Sequence, residues 1–169
     1  LPEGILKPRQ VYAGGIIFLV IGTIIGVYFV ITDGIIIGII LAFAVVSIYF
    51  YSTKIVNWGL AEVFVSIKGT LIVIGTYFIQ TSQINESVIF GGIVIGVLSS
   101  LVLFITSFPD HDADKAKGRK TLVISLGKQK ACSMLWVFPV IVYGISIAAV
   151  IFEIFPISCL ILLATIPLI

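Results

Sequence analysis

Residues 88–107 read VIFGGIVIGVLSSLVLFITS, and residues 108–121 continue as FPDHDADKAKGRKT. The first stretch contains no charged residue. As a helix rising about 1.5 Å per residue, it is long enough to cross a hydrocarbon core about 30 Å thick. The second stretch places three aspartates and four basic residues directly after it. We therefore predict a transmembrane helix that ends in a highly charged segment at the membrane surface.

The composition of the whole chain indicates lipid as its solvent. Of its 169 residues, 60% are hydrophobic and 11% are charged, and the mean hydropathy is +1.26. Soluble domains carry about a quarter charged residues, and a globule of this size cannot bury so much apolar surface. The two cysteines, Cys132 and Cys159, lie in apolar runs and are interpreted as small packing residues.

The apolar segments predict six membrane helices separated by loops with turn-forming residues. No segment alternates apolar and polar residues as the strands of a membrane barrel do. We therefore predict an all-α fold, a multi-pass transmembrane helical bundle that forms a single domain over residues 1–169. The predicted spans are 11–31, 34–51, 58–80, 86–108, 131–152 and an incomplete sixth at 157–169.

The basic residues predict the sidedness of this bundle. Nine of the ten lysines and arginines fall in alternate loops, at 1–10, 52–57 and 109–130. The intervening loops contain none, at 32–33, 81–86 and 153–156. Because basic loops stay on the cytoplasmic side, we expect a multi-pass protein of the cell membrane. Residues 109–130, the aspartate segment, are expected on its cytoplasmic face.

Two of the three aspartates share one face if this segment is helical. Positions i and i+4 differ by about 40° of azimuth, so Asp110 and Asp114 point the same way and Asp112 points to the opposite side. Mg²⁺ binds one or two carboxylates together with waters and phosphates. The pair therefore predicts a magnesium site. The basic residues that follow predict a polyanionic ligand; they are Lys115, Lys117, Arg119 and Lys120.

Other interpretations of the aspartate segment compete with this one. Its lysines suit anionic lipid headgroups at least as well. The D-x-D-x-D spacing also opens an EF-hand, but that loop requires glycine sixth and glutamate twelfth, where this chain has Lys115 and Thr121. Helix capping would account for one aspartate but not for a facing pair.

Three stretches resemble the UbiA superfamily of intramembrane prenyltransferases. Residues 110–127, DHDADKAKGRKTLVISLG, resemble its second aspartate motif, D-x-x-x-D followed by G-[KR]-x-T-L-x-x-x-L-G. Residues 58–81, WGLAEVFVSIKGTLIVIGTYFIQT, look like the upstream stretch in the MenA-type branch. Residues 1–8, LPEGILKP, are similar to the stretch that follows the first aspartate motif. The three occur in the family's order.

The resemblance implies nine helices around a central cavity, with magnesium held by two cytoplasmic aspartate motifs. It also implies a fragment containing helices three to eight, without the first motif. Asp110 and Asp114 match the catalytic, metal-binding carboxylates of the second motif. The residues expected to bind diphosphate are Lys54, Lys115, Arg119 and Lys120.

Some positions depart from the family's pattern, and some are candidate cavity residues. The MenA-type branch often has N-N-x-R before its aspartate, whereas residues 106–109 read TSFP. Lys68 stands where an apolar or aromatic residue is usual. A lysine in mid-span costs about 2.5 kcal/mol or more, so it either faces a cavity, attracting diphosphate or an acidic aromatic substrate, or snorkels to water. Glu62, which matches the branch's acidic position, and Tyr51 are further candidate cavity residues.

The function that the resemblance implies is Mg²⁺-dependent transfer of a polyprenyl group from its diphosphate to an aromatic acceptor. The branch implies 1,4-dihydroxy-2-naphthoate as acceptor, in menaquinone biosynthesis. Acceptors of other branches stay open, namely 4-hydroxybenzoate, haem, chlorophyll and archaeal ether lipids. The expected partners are these substrates and the lipid bilayer, with no nucleic acid.

The same residues match two other functions less well. Phosphatidyl transfer from a CDP-alcohol expects D-G and A-R dipeptides between its aspartates, and DHDADKAKG has neither. A transporter tends to carry charge near the membrane midplane on interrupted helices, and here the midplane holds little charge beyond Lys68.

Overall fold

The computed structural model describes residues 7–50 and 59–168, and every element in these residues is helical. Eight α-helices are followed by a final 3-10 helix, so the predicted all-α fold is confirmed. The α-helices are α1 (Pro8–Asp33), α2 (Ile35–Phe50), α3 (Ala61–Thr81), α4 (Glu86–Thr106), α5 (His111–Ala116), α6 (Leu122–Leu126), α7 (Lys128–Met134) and α8 (Val137–Ile151); the 3-10 helix covers Ile157–Leu168.

Four segments of the described chain are long and apolar enough to cross a membrane: α1, α3, α4 and α7 with α8. The 3-10 helix and α2 are also apolar but shorter. Large apolar side chains point outward from the spans, for example Ile31 on α1 and Ile95 on α4. Such side chains are stable against lipid and not against water. The multi-pass membrane architecture predicted from the sequence is therefore confirmed.

The span predicted at 131–152 differs from expectation, because it consists of two helices, α7 and α8. The helix is interrupted at Leu135 and Trp136. Pro139 has no backbone N–H to donate to the Leu135 carbonyl, and its ring collides with that carbonyl in a continuous helix. The proline is tolerated because it lies in the first turn of α8. A proline visible in the sequence thus determines where this span breaks.

The chain divides into two compact units, Leu1–Val46 and Ser47–Ile169. In the first unit, α1 ends at Gly34, whose φ of +93° is accessible to glycine and whose N–H donates to the Val30 carbonyl at 3.0 Å. Further along α2, the Leu41 side chain packs against Gly26 of α1. The organisation of residues 1–169 as a single domain stays a prediction.

In the second unit, α3 packs along α4 through glycines. A Cβ atom on Gly69 would lie 2.9 Å from the Gly96 Cα atom. A Cβ atom on Gly96 would overlap the Ser66 carbonyl oxygen and the Thr70 hydroxyl of α3. Small residues permit this approach of two membrane helices, where packing rather than the hydrophobic effect drives association.

A small core at the end of α4 fixes the surface that follows it. Phe104, Val123, Ala131 and Phe138 are buried together and join α4 to α6, α7 and α8. The ring centroid of Phe104 lies 5.3 Å from that of Phe138, a spacing typical of favourable aromatic pairs. The aspartate segment begins directly after α4 and is therefore anchored on both sides by this core.

Two of the loops without basic residues, 81–86 and 153–156, meet at the opposite end of α4. The Asn85 side chain caps α4 by accepting from the Val88 N–H at 2.9 Å. The Ser87 hydroxyl donates to the Ile154 carbonyl at 2.8 Å, which brings the turn after α8 to the same end. Lys128, at the start of α7, pairs with Asp112 at 3.2 Å at the other end. The second unit thus separates its basic loops from its non-basic loops.

We expect Gly96→Ala to destabilise the protein, because the added methyl group collides with the backbone and Thr70 of α3. The expected loss is about 1–3 kcal/mol, as for other overpacked sites, measured by thermal unfolding in detergent. Gly144→Ala on α8 is the control, because nothing lies within 4 Å of its added Cβ atom. An equal or larger loss in Gly144→Ala would contradict this account of the α3–α4 contact.

Candidate functional site

A polar pocket of about 140 Å³ lies where α3 begins and α4 ends. Three carboxyl groups and one guanidinium group line it, on Glu62, Asp110, Asp114 and Arg119. We call it the aspartate pocket. Its remaining lining consists of Ala61, Leu103, Thr106, Ser107 and Thr121.

Asp110 and Asp114 reach this pocket together because one helical turn separates them. Asp110 is the N-cap residue of α5, and its carbonyl accepts from the Asp114 N–H at 2.8 Å. Asp112 lies apart from them, with its side chain 82% exposed. It accepts hydrogen bonds from His111 at 2.7 Å and Lys128 at 3.2 Å, and these bonds lower the pKa of its carboxyl. The structure therefore brings two aspartates together and excludes the third.

Arg119 is held beside Asp114 by the turn that ends α5. Gly118 adopts a φ of +73°, its N–H donates to the Lys115 carbonyl at 3.1 Å, and the Arg119 N–H donates to the Asp114 carbonyl at 3.0 Å. This is a Schellman turn, which requires the left-handed conformation that glycine supplies. The Arg119 guanidinium then pairs with the Asp114 carboxylate, with Nη1 3.1 Å from Oδ1. The side chain of Arg119 remains 48% exposed, so donors are left for a ligand.

Glu62 lies in the first turn of α3 and is 5% exposed. Its Oε2 atom has no hydrogen-bond partner among the described residues. Burial of a polar atom without a partner is costly. An orphaned carboxyl oxygen in a pocket with two aspartates therefore indicates that a ligand belongs there.

The chemistry of the aspartate pocket fits a hard divalent cation. No three histidine, cysteine, aspartate or glutamate side chains converge on one metal position within residues 7–50 and 59–168. Mg²⁺ does not need three, since it uses one or two carboxylates and completes its shell with water and phosphate. Asp110 and Asp114 supply such a pair, and the orphaned oxygen of Glu62 adds a third acceptor nearby.

A larger and mostly apolar cavity, of about 500 Å³, adjoins the aspartate pocket. Leu103 and Thr106 line both, so this part of α4 forms a wall common to the two spaces. Lys68 lines the larger cavity, which we call the lysine cavity. Its other lining on α3 and α4 consists of Phe64, Val65, Ser99 and Val102.

The remaining predicted site residues are Lys115, Lys120, Lys54 and Tyr51. Lys115 and Lys120 are exposed and do not line the aspartate pocket. Lys54 and Tyr51 fall outside the described residues. Ser107 and Thr121, by contrast, line the pocket without having been predicted. Thr121 stands within the G-[KR]-x-T motif, which signalled its proximity; its hydroxyl caps α6 by accepting from the Ile124 N–H at 3.4 Å.

Comparison with known proteins gives two partial relatives. The chain is 38% identical over 73 residues to a 1,4-dihydroxy-2-naphthoate octaprenyltransferase of Haemophilus influenzae, a match that covers 43% of the chain and 24% of that protein. It is 36% identical over 67 residues to a protein of the same name from Bacillus subtilis, covering 40% of the chain and 22% of the relative. The matches thus span less than a quarter of each relative's length. No solved structure matches the chain.

The match to a family is far more extensive. The sequence model of the UbiA prenyltransferase family covers residues 1–169. It therefore includes α1, α2 and the 3-10 helix as well as the helices around the aspartate pocket. Because this match covers the whole chain, the protein belongs to the UbiA prenyltransferase family.

Proposed function

We propose that this protein is a Mg²⁺-dependent prenyltransferase that moves a polyprenyl group from its diphosphate to an aromatic acceptor. The observation that carries this proposal is the adjacency of two spaces. Carboxylates and a guanidinium line one, and a mainly apolar wall lines the other. A substrate with a charged head and an isoprenoid tail requires both. Membership of the UbiA family supports the same reaction.

Asp110 and Asp114 are proposed to hold the metal ion. When bound there, Mg²⁺ supplies charge neutralisation to the diphosphate leaving group. Arg119 adds a guanidinium whose orientation Asp114 fixes through the 3.1 Å pair. Since one carboxylate engages only part of that fork, further N–H groups of Arg119 can donate to phosphate oxygens. Lys54, Lys115 and Lys120 are proposed as additional, more peripheral cations for the same diphosphate.

The lysine cavity is proposed to shelter the reacting carbon. When the allylic C–O bond breaks, diphosphate leaves with the bonding electrons and an allylic cation remains. Phe64, Val65 and Val102 line this space with hydrocarbon, which excludes the water that would capture the cation. An electron-rich aromatic carbon of the acceptor then forms the new C–C bond and releases either its proton or, where that carbon bears a carboxylate, CO2.

We propose 1,4-dihydroxy-2-naphthoate as the acceptor, which places the reaction in menaquinone biosynthesis. The two relatives named for that substrate support this choice, as do the residues of α3 that resemble the MenA-type branch. The proposed acceptor is wrong if the protein prenylates 4-hydroxybenzoate in preference to 1,4-dihydroxy-2-naphthoate; another acceptor of the superfamily would then take its place.

We propose further that the aspartate pocket opens to the cytoplasm. The basic aspartate segment and the loops at 82–85 and 152–156 lie at opposite ends of α4. Basic segments stay on the cytoplasmic side of cell membranes. The diphosphate would therefore be taken from, and released to, the cytoplasm.

We expect Asp110→Asn and Asp114→Asn each to lower kcat of Mg²⁺-dependent prenyl transfer by about a hundredfold or more, since each removes a charge that acts on the leaving group. Asp112→Asn is the matched control. Its carboxylate is exposed and outside the pocket, so activity should stay within about threefold. Prenyl transfer from labelled polyprenyl diphosphate is measured for all three variants. Equal losses of activity would show that Asp110 and Asp114 matter no more than Asp112 does.

We expect Arg119→Ala to raise KM for polyprenyl diphosphate by about tenfold or more, because a charged hydrogen bond to phosphate is lost. KM for the aromatic acceptor should change little. Lys117→Ala removes a neighbouring cation that lines neither space and serves as control. The proposed role of Arg119 is wrong if the control raises KM for the diphosphate equally.

Cysteine labelling tests the orientation. With Cys132 and Cys159 first replaced by alanine, a membrane-impermeant maleimide added to intact cells should label Gln83→Cys but not Lys117→Cys. Both positions are exposed, so both should react once the membranes are opened. The reverse pattern in intact cells would place the aspartate pocket on the outer face.

A further inference from the structure

Lys68 lies at an unusual position for a charged residue. It is the eighth of the 21 residues of α3, a helix long enough to span the membrane, and its side chain lines the lysine cavity. No other charged residue of the described chain lines this cavity. An ammonium group at such a depth is stable only with a counter-charge or water.

The described residues supply no such counter-charge, and Lys68 is exposed rather than buried. Lys68 forms no ion pair with any residue in the described parts of the chain. Glu62 is the other acidic or basic residue of α3, but six residues place it about 9 Å away along the axis and about 240° around the helix. It lines the aspartate pocket and not the lysine cavity. The Lys68 ammonium group is therefore accessible to an anionic ligand in this cavity.

Two of the three hydroxyl groups that line the cavity are already engaged as donors, whereas Ser47 of α2 is buried and its hydroxyl has no partner among the described residues. The Ser99 hydroxyl already donates to the Ile95 carbonyl at 2.8 Å, and the Thr106 hydroxyl donates to the Leu103 carbonyl at 2.9 Å. The three N–H donors of the Lys68 ammonium group are the charged contact that the cavity offers. A ligand that fits this cavity needs an anionic group to accept hydrogen bonds from Lys68. It also needs an apolar part to pack against Phe64, Val65 and Val102.

We propose that Lys68 binds the carboxylate of an aromatic acid acceptor and thereby sets which acceptors are used. This inference rests on the proposed function. A flat aromatic acid matches the cavity in chemistry, and a volume of about 500 Å³ is ordinary for a small-molecule site. A second diphosphate matches less well, because the phosphate-binding groups surround the adjoining pocket and the walls here are hydrocarbon.

The position of the cavity gives the carboxylate contact a role in orientation. Leu103 and Thr106 form the wall shared with the aspartate pocket, where the donor's reactive end is proposed to lie. An acceptor tethered at Lys68 extends its ring toward that shared wall. Lys68 is thus a positioning residue that presents an aromatic carbon to the allylic carbon, and it has no part in breaking the C–O bond.

The test compares an aromatic acid with its analogue that lacks the carboxyl group. Binding of 1,4-dihydroxy-2-naphthoate and of 1,4-dihydroxynaphthalene to the purified full-length protein is measured by equilibrium dialysis. In Lys68→Met, which keeps the length of the side chain and removes its charge, the acid should bind about 10- to 100-fold more weakly. The analogue should bind within about threefold of wild type. Lys68→Arg should restore most of the affinity for the acid.

Several outcomes would overturn this role. Equal weakening of the acid and its analogue in Lys68→Met would reduce Lys68 to a packing residue. Weakened binding of polyprenyl diphosphate, with the acid unaffected, would assign Lys68 to the donor. Unchanged donor binding also shows that the variant is folded. A wild-type protein that binds the acid through Lys68 but transfers no prenyl group would refute the proposed function and leave the carboxylate site in place.

Discussion

The close approach of α3 and α4 is the constraint on which the rest of the site depends. Glu62 and Lys68 come from α3, whereas Leu103, Thr106 and the aspartates come from α4 or directly follow it. These groups line common spaces only because Gly69 and Gly96 let the two backbones meet. In lipid, where apolar side chains gain little by leaving the solvent, such packing must hold helices together. The glycines are therefore as necessary to the site as the charged residues are.

The second requirement is a rigid charged segment at the end of a span. Loops rich in aspartate and lysine are normally mobile and solvated, yet here a helical turn, a Schellman turn and a buried core fix the residues around Arg119. The turn at Gly118 directs the guanidinium to Asp114, whereas the pair of Asp112 with Lys128 is exposed to solvent and contributes little. Orientation is thus set before a ligand arrives, which is what electrostatic stabilisation of a leaving group requires.

Much of this arrangement could be predicted from the sequence, because it depends on local patterns. Long apolar runs predicted the spans, and the spacing of Asp110 and Asp114 predicted a shared face. The break between α7 and α8 was not predicted, although Pro139 is visible in the sequence. Hydropathy is averaged over a long window of residues, so it is insensitive to a single proline. The orphaned oxygen of Glu62 and the wall that Leu103 and Thr106 form between two spaces could not be predicted. They arise from contacts between helices that no residue pattern within one helix encodes.

The distribution of charge along α3 and α4 follows one physical rule. At the membrane surface, carboxylates and a guanidinium occur together, so each charge is partly compensated and water covers the remainder. Deeper in the span, Lys68 lines a mostly apolar cavity, and we propose that an anionic ligand compensates its charge there. A ligand that binds only the folded protein in this way would also stabilise it. A neutral ligand would leave the ammonium unsatisfied, so the cavity discriminates by charge before it discriminates by shape.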